Sequence, residues 1–380
     1  MPNRHPLRCI VPPHILEAIA ARGSTRQQEM ARSAITASDE IRAERHLVTA
    51  AGVAAAQAGV KERVVYTANF GSSLPGQRVR GEGDPPSGDA TVDEAYDGSG
   101  DTYDLYQQVY GRDSIDGNNM RMDSTVHYRR GYDNAFWNGE QMVYGDGDED
   151  LPEDERLFNR FTKSLDVIGH ELTHGVTQFT ANLVYSNQPG ALNEHFSDVF
   201  GSLVRQWKLG QAAGEADWLI GADLFTPNVN GRGLRSMKEP GSAYDDPVIG
   251  KDPQPGHMDD YVNTTQDNGG VHINSGIPNR AFYEIATAIG GRSWEKAGQI
   301  WYKTLTDGRL SSQAEFQTAA DLTFAIAGEL YGADSLEQQA VKTGWSAVGI
   351  TVAGETPTPE PTPTPGNGCL TAFLTLGLLR

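Results

Sequence analysis

Five consecutive residues, His170-Glu171-Leu172-Thr173-His174, dictate local structure more sharply than any other part of the chain. At 3.6 residues per turn, positions i and i+4 lie one above the other, so a helix sends both imidazoles from one face toward a common point. Leu165, Ile168, Leu172 and Val176 recur at helical spacing around the pentad and predict a helix with an apolar face. Glu171, about 100° round that helix from His170, stands beside an ion held by the two rings without ligating it. That is the place for a general base that takes a proton from water. The pentad by itself also fits two surface histidines that share a face, so a third ligand is required.

Asn193-Glu194-His195-Phe196-Ser197-Asp198 supplies one, far enough beyond His174 to cross a loop and enter a second helix that faces back. Glu194 is expected to complete the metal's shell. Asp198, four residues on, is expected to accept the remaining N–H of a ligating imidazole, with Asn193 as a further outer support. The plainer reading is an acidic helix start in which both carboxylates favour the helix dipole. Two neutral imidazoles and one carboxylate are the donors of a catalytic Zn2+ with one open position, whereas structural zinc is closed by four protein ligands and favours thiolate. Neither cysteine, Cys9 or Cys369, is near in sequence. Amide hydrolysis also needs donors where negative charge develops. Tyr185 and His272, the latter held protonated by Asp267, are the candidates.

At 380 residues the chain exceeds what one core usually organises. Residues 1–60 read as a short helical segment separable from the rest of the chain, broken at Gly23-Ser24 and around Ser38-Asp39. Residues 64–157 show strand-like alternation and turn clusters with one helix near Asp89–Tyr110, and 158–352 are mainly helical. Within the latter, 209–273 is Gly/Pro/Asp-rich and lacks periodicity. The Thr-Pro repeats of 355–368 form an extended linker that cannot join a core. Residues 369–380 are an apolar tail too short to span a membrane: an anchor or sorting remnant, a docking helix, or a segment without function. A formal charge of −19, from 50 acidic against 31 basic residues, repels phosphate backbones, so no nucleic-acid partner is expected. Pro2, Pro6, Pro12 and Pro13 interrupt any apolar stretch that would serve as an export signal.

Taken in order, Asn134-Ala135-Phe136-Trp137-Asn138-Gly139, Met142-Val143-Tyr144-Gly145-Asp146-Gly147, the pentad, the Asn193-Glu194 helix, Gly233-Leu234-Arg235-Ser236-Met237 and Gly269-Gly270-Val271-His272-Ile273-Asn274-Ser275-Gly276 resemble the thermolysin-like (M4) zinc metallopeptidases over about residues 64–350. The resemblance implies an α+β fold of two lobes, β-rich before the pentad and mainly helical after it, with the zinc cleft between them. It implies a zinc-dependent neutral endopeptidase with one catalytic Zn2+ on His170, His174 and Glu194 and with Glu171 as base. His272, oriented by Asp267, and Tyr185 would then be the oxyanion donors. It further implies that Asn134 and Ala135 pair with substrate backbone and that Arg235 binds a substrate carbonyl on the leaving-group side. Phe158, Phe161, Val167, Ile220, Leu224 and Leu234 would line a pocket for a large apolar residue after the cleaved bond. Without the resemblance these six read as ordinary core.

Departures from the family pattern carry expectations too. Only Asp166 and Asp217 remain where calcium-rich members cluster carboxylates. Arg205, Leu219 and Ala222 replace the others, and Arg232 stands where another calcium site has an aspartate, so strong Ca2+ binding is not expected. Arg8 to Leu16, with Pro12-Pro13, resembles the short propeptide of the protealysin-like subgroup. That implies a latent precursor in which residues 1–60 act as an intramolecular inhibitor removed by autocleavage near Lys61–Tyr66. Cys9 either fills the open zinc position as thiolate or is a buried structural cysteine. The expected product is a monomer acting on proteins or peptides, exported by a route without a Sec-type signal, with the cytoplasm as the alternative. A non-catalytic protein displayed on the Thr/Pro stalk is the competing class, and the presence of Glu171 and all three ligands speaks against it. An aminopeptidase would need an amine trap, for which no motif is present.

Overall fold

The computed structural model describes residues 8–44 and 59–352. The linker, the apolar tail with Cys369 and the alanine-rich stretch 50–58 lie outside the described residues. Arg8–Cys9 (β1) opens the chain, followed by α1 (Pro13–Arg22) and α2 (Thr25–Glu44). Gly23 ends α1 where a break is expected. The second expected break is absent, because α2 runs through Ser38-Asp39. Such residues favour helix starts but do not interrupt a helix, and Ala31, Ala34 and Ala37 carry one buried face up to this point.

Strands β2 (Arg63–Thr67), β3 (Gln77–Gly81), β4 (Met122–Val126), β5 (Ala135–Trp137) and β6 (Met142–Tyr144) join β1 in one sheet ordered β1-β5-β6-β4-β2-β3. The β2-β4 and β4-β6 pairs are parallel and the others antiparallel. Between β3 and β4 runs α3 (Ala90–Tyr110), started by Asp89, whose side chain accepts from the N–H groups of Thr91 and Val92.

The first segment is docked on the rest of the chain, because β1 is an edge strand of this sheet, with Cys9 opposite Phe136. From Arg63 onward, the span expected to be processed is β2, which is hydrogen-bonded on both sides and buried at Val64 and Val65. Gly59 and Val60 just upstream are exposed.

Beyond the sheet come α4 (Leu165–Gln178), α5 (Asn187–Leu209), α6 (Asp267–Asn274), α7 (Gly276–Ile289), α8 (Lys296–Thr306), α9 (Phe316–Tyr331) and α10 (Leu336–Ser346). The aperiodic stretch resolves into the short antiparallel pairs β7 (Leu219–Ile220) with β8 (Arg235–Ser236) and β9 (Asp245–Asp246) with β10 (Gly250–Lys251). One apolar cluster runs from Cys9 and Ile10 through the sheet to α10. Among the described residues no helix is long and apolar enough to cross a membrane.

The site depends most on how α4 and α5 cross. A Cβ on Gly201 would lie 2.4 Å from the carbonyl oxygen of Asp166, and one on Gly169 would lie 3.1 Å from the Cα of Gly201. Glycine at both positions allows the backbones to approach closely enough for α5 side chains to reach the histidines of α4.

Candidate metal centre and peptide cleft

His170 and His174 leave one face of α4 and meet Glu194 of α5, all three fully buried. One ligand atom from each lies within 4.8 Å of the others. Glu194 oxygens stand 3.5 Å from His170 Nε2 and 3.3 Å from His174 Nε2. The opposite ring nitrogens are fixed. His170 Nδ1 donates to Asp198 Oδ1 at 2.8 Å. His174 Nδ1 donates to Asn193 Oδ1 at 2.8 Å, and Asn193 is itself oriented by donating its amide to the carbonyl of Leu183. Both rings therefore turn an imidazole lone pair toward Glu194. His170 Nε2 and Glu194 Oε2 are buried without a hydrogen-bond partner, which is costly for the protein alone. Two imidazole nitrogens and one carboxylate are the donor chemistry of Zn2+, so these residues fit that ion.

Burial opposes the charge of Glu194, but His272, His174 and His170 hold its carboxyl well below the usual carboxylate range. Glu171 behaves oppositely, because burial, reinforced by the charge of Glu194, pushes its carboxyl well up. Its Oε2 accepts the N–H of Trp137 at 2.9 Å, which aims the group along β5.

A left-handed turn delivers the next arm. Asp267, Asn268, Gly269 and Gly270 all have positive φ, between 49° and 89°. Glycine is needed there, since a Cβ on Gly269 would lie 2.2 Å from Asn187 Oδ1. The turn folds Asp267 back onto His272, where it accepts from the backbone N–H at 2.8 Å and from Nδ1 at 2.6 Å. Burial works against a charged His272, yet Asp267 and Glu194 overcome it and push the imidazole up to about 9. The Tyr185 hydroxyl donates to Glu194 and lies 3.2 Å from His272 Nε2.

Asp198 ties a second arm to the first. Arg235, 1% exposed, donates to both of its oxygens at 2.9 and 2.8 Å, and Asn279 adds a bond of 2.9 Å. The remaining guanidinium nitrogen donates to the carbonyl of Ile10 at 3.1 Å. The cleft thus already holds a peptide. Ile10 N–H donates to Ala135 O at 3.2 Å, Val11 N–H to Asn134 Oδ1 at 3.0 Å, and His272 Nε2 to the carbonyl of Cys9 at 2.9 Å. The thiol of Cys9 is not one of the ligand atoms gathered at the centre. Cys9 is buried in β1 and presents its carbonyl to His272.

Phe158, Phe161, Val167, Ile220, Leu224 and Leu234 are all buried in one cluster that also takes in Ile10. Three contributors lie outside the sequence expectations: Ser197 Oγ, 3.0 Å from His174 Nδ1, the amide of Asn279 on Asp198, and His14, whose Nε2 meets the Tyr244 hydroxyl at 2.7 Å. Ser197 is three residues after Glu194, so helical spacing alone could have flagged it.

Residues 27–178 match the family described as thermolysin metallopeptidase, catalytic domain, and residues 181–350 match its alpha-helical domain. An extracellular metalloprotease of Pectobacterium carotovorum subsp. carotovorum is 48% identical over 92% of this chain and 98% of its own length. A thermolysin of Alicyclobacillus acidocaldarius subsp. acidocaldarius is 43% identical over 69% of this chain, which spans 46% of that relative. The solved precursor of protealysin, a metalloproteinase from Serratia proteamaculans, superposes with a TM-score of 0.82 at 48% identity, covering 90% of this chain and all of that one. A pair of matches that together take in both lobes, and a precursor that aligns from end to end, place this chain in the thermolysin (M4) family of zinc metallopeptidases, on its protealysin-like branch.

Proposed function

We propose that this chain is the latent precursor of a neutral zinc endopeptidase that cleaves before large apolar residues. The observation that carries this reading is the convergence of His170, His174 and Glu194 within 4.8 Å in a cleft already lined by a peptide strand. A Zn2+ ion bound by these three residues supplies Lewis-acid polarisation of a carbonyl and acidifies water. The chain's own residues do the rest. Glu171 takes the proton of the attacking water and passes it to the leaving amine, and its raised affinity for protons suits both acts. His272, charged and steered by Asp267, and the Tyr185 hydroxyl donate to the oxygen on which negative charge develops. Asn134 and Ala135 hold the substrate's main chain, and Arg235 takes the carbonyl after the cleaved bond. Asp198 and Asn193 keep the ligand rings oriented. The apolar lining of Phe158, Phe161, Val167, Ile220, Leu224 and Leu234 supports a preference for a large apolar side chain next to that carbonyl.

Strong calcium binding is not part of this reading. Arg205 stands 3.0 Å from Asp217 and 3.9 Å from Asp223, and Asp166 acts on it as well. A fixed guanidinium thus sits among the carboxylates that a divalent ion would need. Latency follows from residues 8–11, which fill the cleft, and processing is assigned to the exposed Gly59–Val60 region ahead of β2. The acidic surface and the extracellular metalloprotease among the relatives support export.

The test is zinc analysis joined to cleavage of a denatured protein by the processed enzyme. One zinc per chain and chelator-sensitive cleavage are expected, and Glu171→Ala should keep the metal and lose cleavage. Unchanged cleavage by Glu171→Ala would remove Glu171 as the base.

A further inference from the structure

We propose that His195 is a positioning residue for the metal centre, acting through Asn279 and Asp198 to hold the ligand His170 in the orientation that leaves its Nε2 free to ligate. The proposal rests on the zinc-peptidase reading. His195 follows Glu194 directly on α5, yet it is not one of the residues gathered at the centre. Neither the ligand set nor the acid-base groups use it.

An unbroken run of hydrogen bonds crosses four helices to reach the ligand. Trp301 Nε1 on α8 donates to His195 Nε2 at 2.7 Å, and His195 Nδ1 donates to Asn279 Oδ1 on α7 at 2.8 Å. Asn279 Nδ2 donates to Asp198 Oδ2 at 2.9 Å, and Asp198 Oδ1 accepts from His170 Nδ1 on α4 at 2.8 Å. All five residues are at most 1% exposed. A donor or acceptor missed at such depth is costly, so each member constrains the next.

The direction of the run follows from what each group can do. An indole N–H only donates, so His195 Nε2 is a lone pair and the ring proton is on Nδ1. That proton needs an acceptor, which turns the Asn279 amide with Oδ1 to His195 and Nδ2 to Asp198. Asp198 is then fully engaged. Its Oδ2 takes Asn279 and Arg235 Nε, and its Oδ1 takes His170 and Arg235 Nη2, which fill the four lone-pair positions of a carboxylate. His170 accordingly gives its N–H to Asp198 from Nδ1 and keeps Nε2 for the metal. Without the N–H of His195, Asn279 Oδ1 would be a buried acceptor lacking a partner, and the amide would be held from one end only. Any turn of that amide withdraws a donor from Asp198 and frees the carboxylate to shift against His170.

The experiment uses the full-length precursor and two readouts. In the metal-free wild type, nitrogen NMR of labelled histidines should place the ring proton of His195 and of His170 on Nδ1. Zinc affinity, measured by competition with a chelator, should fall roughly 10-fold in His195→Leu and in Asn279→Leu. The double variant should lose no more than the weaker of the two, because both substitutions interrupt one path. Thr323→Val is the control for folding alone. It strips the acceptor, 2.9 Å away, from the buried indole N–H of Trp345, as His195→Leu does for Trp301, and it touches nothing on the path. Its zinc affinity should stay at the wild-type value. A His195 proton on Nε2 overturns the proposal, and because that measurement needs no variant it stands even where a substitution prevents folding. So do unchanged zinc affinity in His195→Leu, an equal loss in Thr323→Val, or losses that simply add in the double variant. A wild-type chain that binds no zinc overturns the peptidase reading instead.

Discussion

Helices α4 and α5 on one side, and strands β1 and β5 on the other, meet at the same cleft by opposite means. The helix pair is joined by side chains: Asp198 alone bonds His170, Arg235 and Asn279, and every one of these residues is at most 1% exposed. The strand pair is joined mostly by main-chain groups that any peptide possesses. The first arrangement is specific to these residues and cannot be exchanged. The second can be taken over by any extended chain with a suitable apolar side chain, which is what a peptidase needs of a substrate and a precursor of its inhibitor.

The largest effect that would break this contrast is on the helix side. In Asp198→Ala, Arg235 keeps a buried charge with its carboxylate gone, which costs about 3–5 kcal/mol. Denaturant unfolding of the metal-free precursor measures it. A loss below ~1 kcal/mol would show that the buried network is no firmer than a surface ion pair.

On the strand side, His14 offers a sharper probe. Burial lowers its imidazole from 6.5 to about 4, with Asp267 pulling it up and His272 and Arg235 pressing it down. The docked form therefore holds His14 neutral, while a released prosegment binds a proton below its ordinary value. Docking is at full strength above pH 6.5 and weakens as pH falls toward 4, by up to roughly 3 kcal/mol. Protease susceptibility of the prosegment should rise across that window, and His14→Gln should flatten the rise. An equally steep profile in the variant would assign the effect to other groups.

The smallest expected effect is Asn134→Ala, which removes one acceptor from Val11 and leaves the main-chain bond to Ala135. About 1 kcal/mol, or roughly fivefold, is expected in inhibition of the processed enzyme by a peptide of residues 8–22. A loss of several hundredfold would mean that the side chain, not the main chain, holds the strand.

How much was legible differs between these regions for the same reason. The pentad, Glu194 with Asp198, and the Asp267–His272 loop can all be read from spacing, because helical periodicity and turn chemistry act over a few residues. The helical character expected from residue 158 onward begins only at Leu165, since Phe158 instead bridges to Phe225 and Phe161–Lys163 form a short 3-10 turn. The role of Arg8–Cys9 as a sheet edge was not legible at all. Two residues show no alternation, and Val11 finds its acceptor 123 positions later. Likewise, nothing local marks Gly169 and Gly201 as the crossing point, because each matters only through the backbone of the other helix.

By itself the amino-acid order determined which donors are present and on which helical faces they stand, since those follow from short-range geometry. It also set the surplus of acidic over basic residues. Only the tertiary structure decided that the chain's own front lies in the cleft and in which register. Strand pairing is made by N–H and C=O groups common to nearly every residue, so a sequence carries no label for its partner until packing selects one.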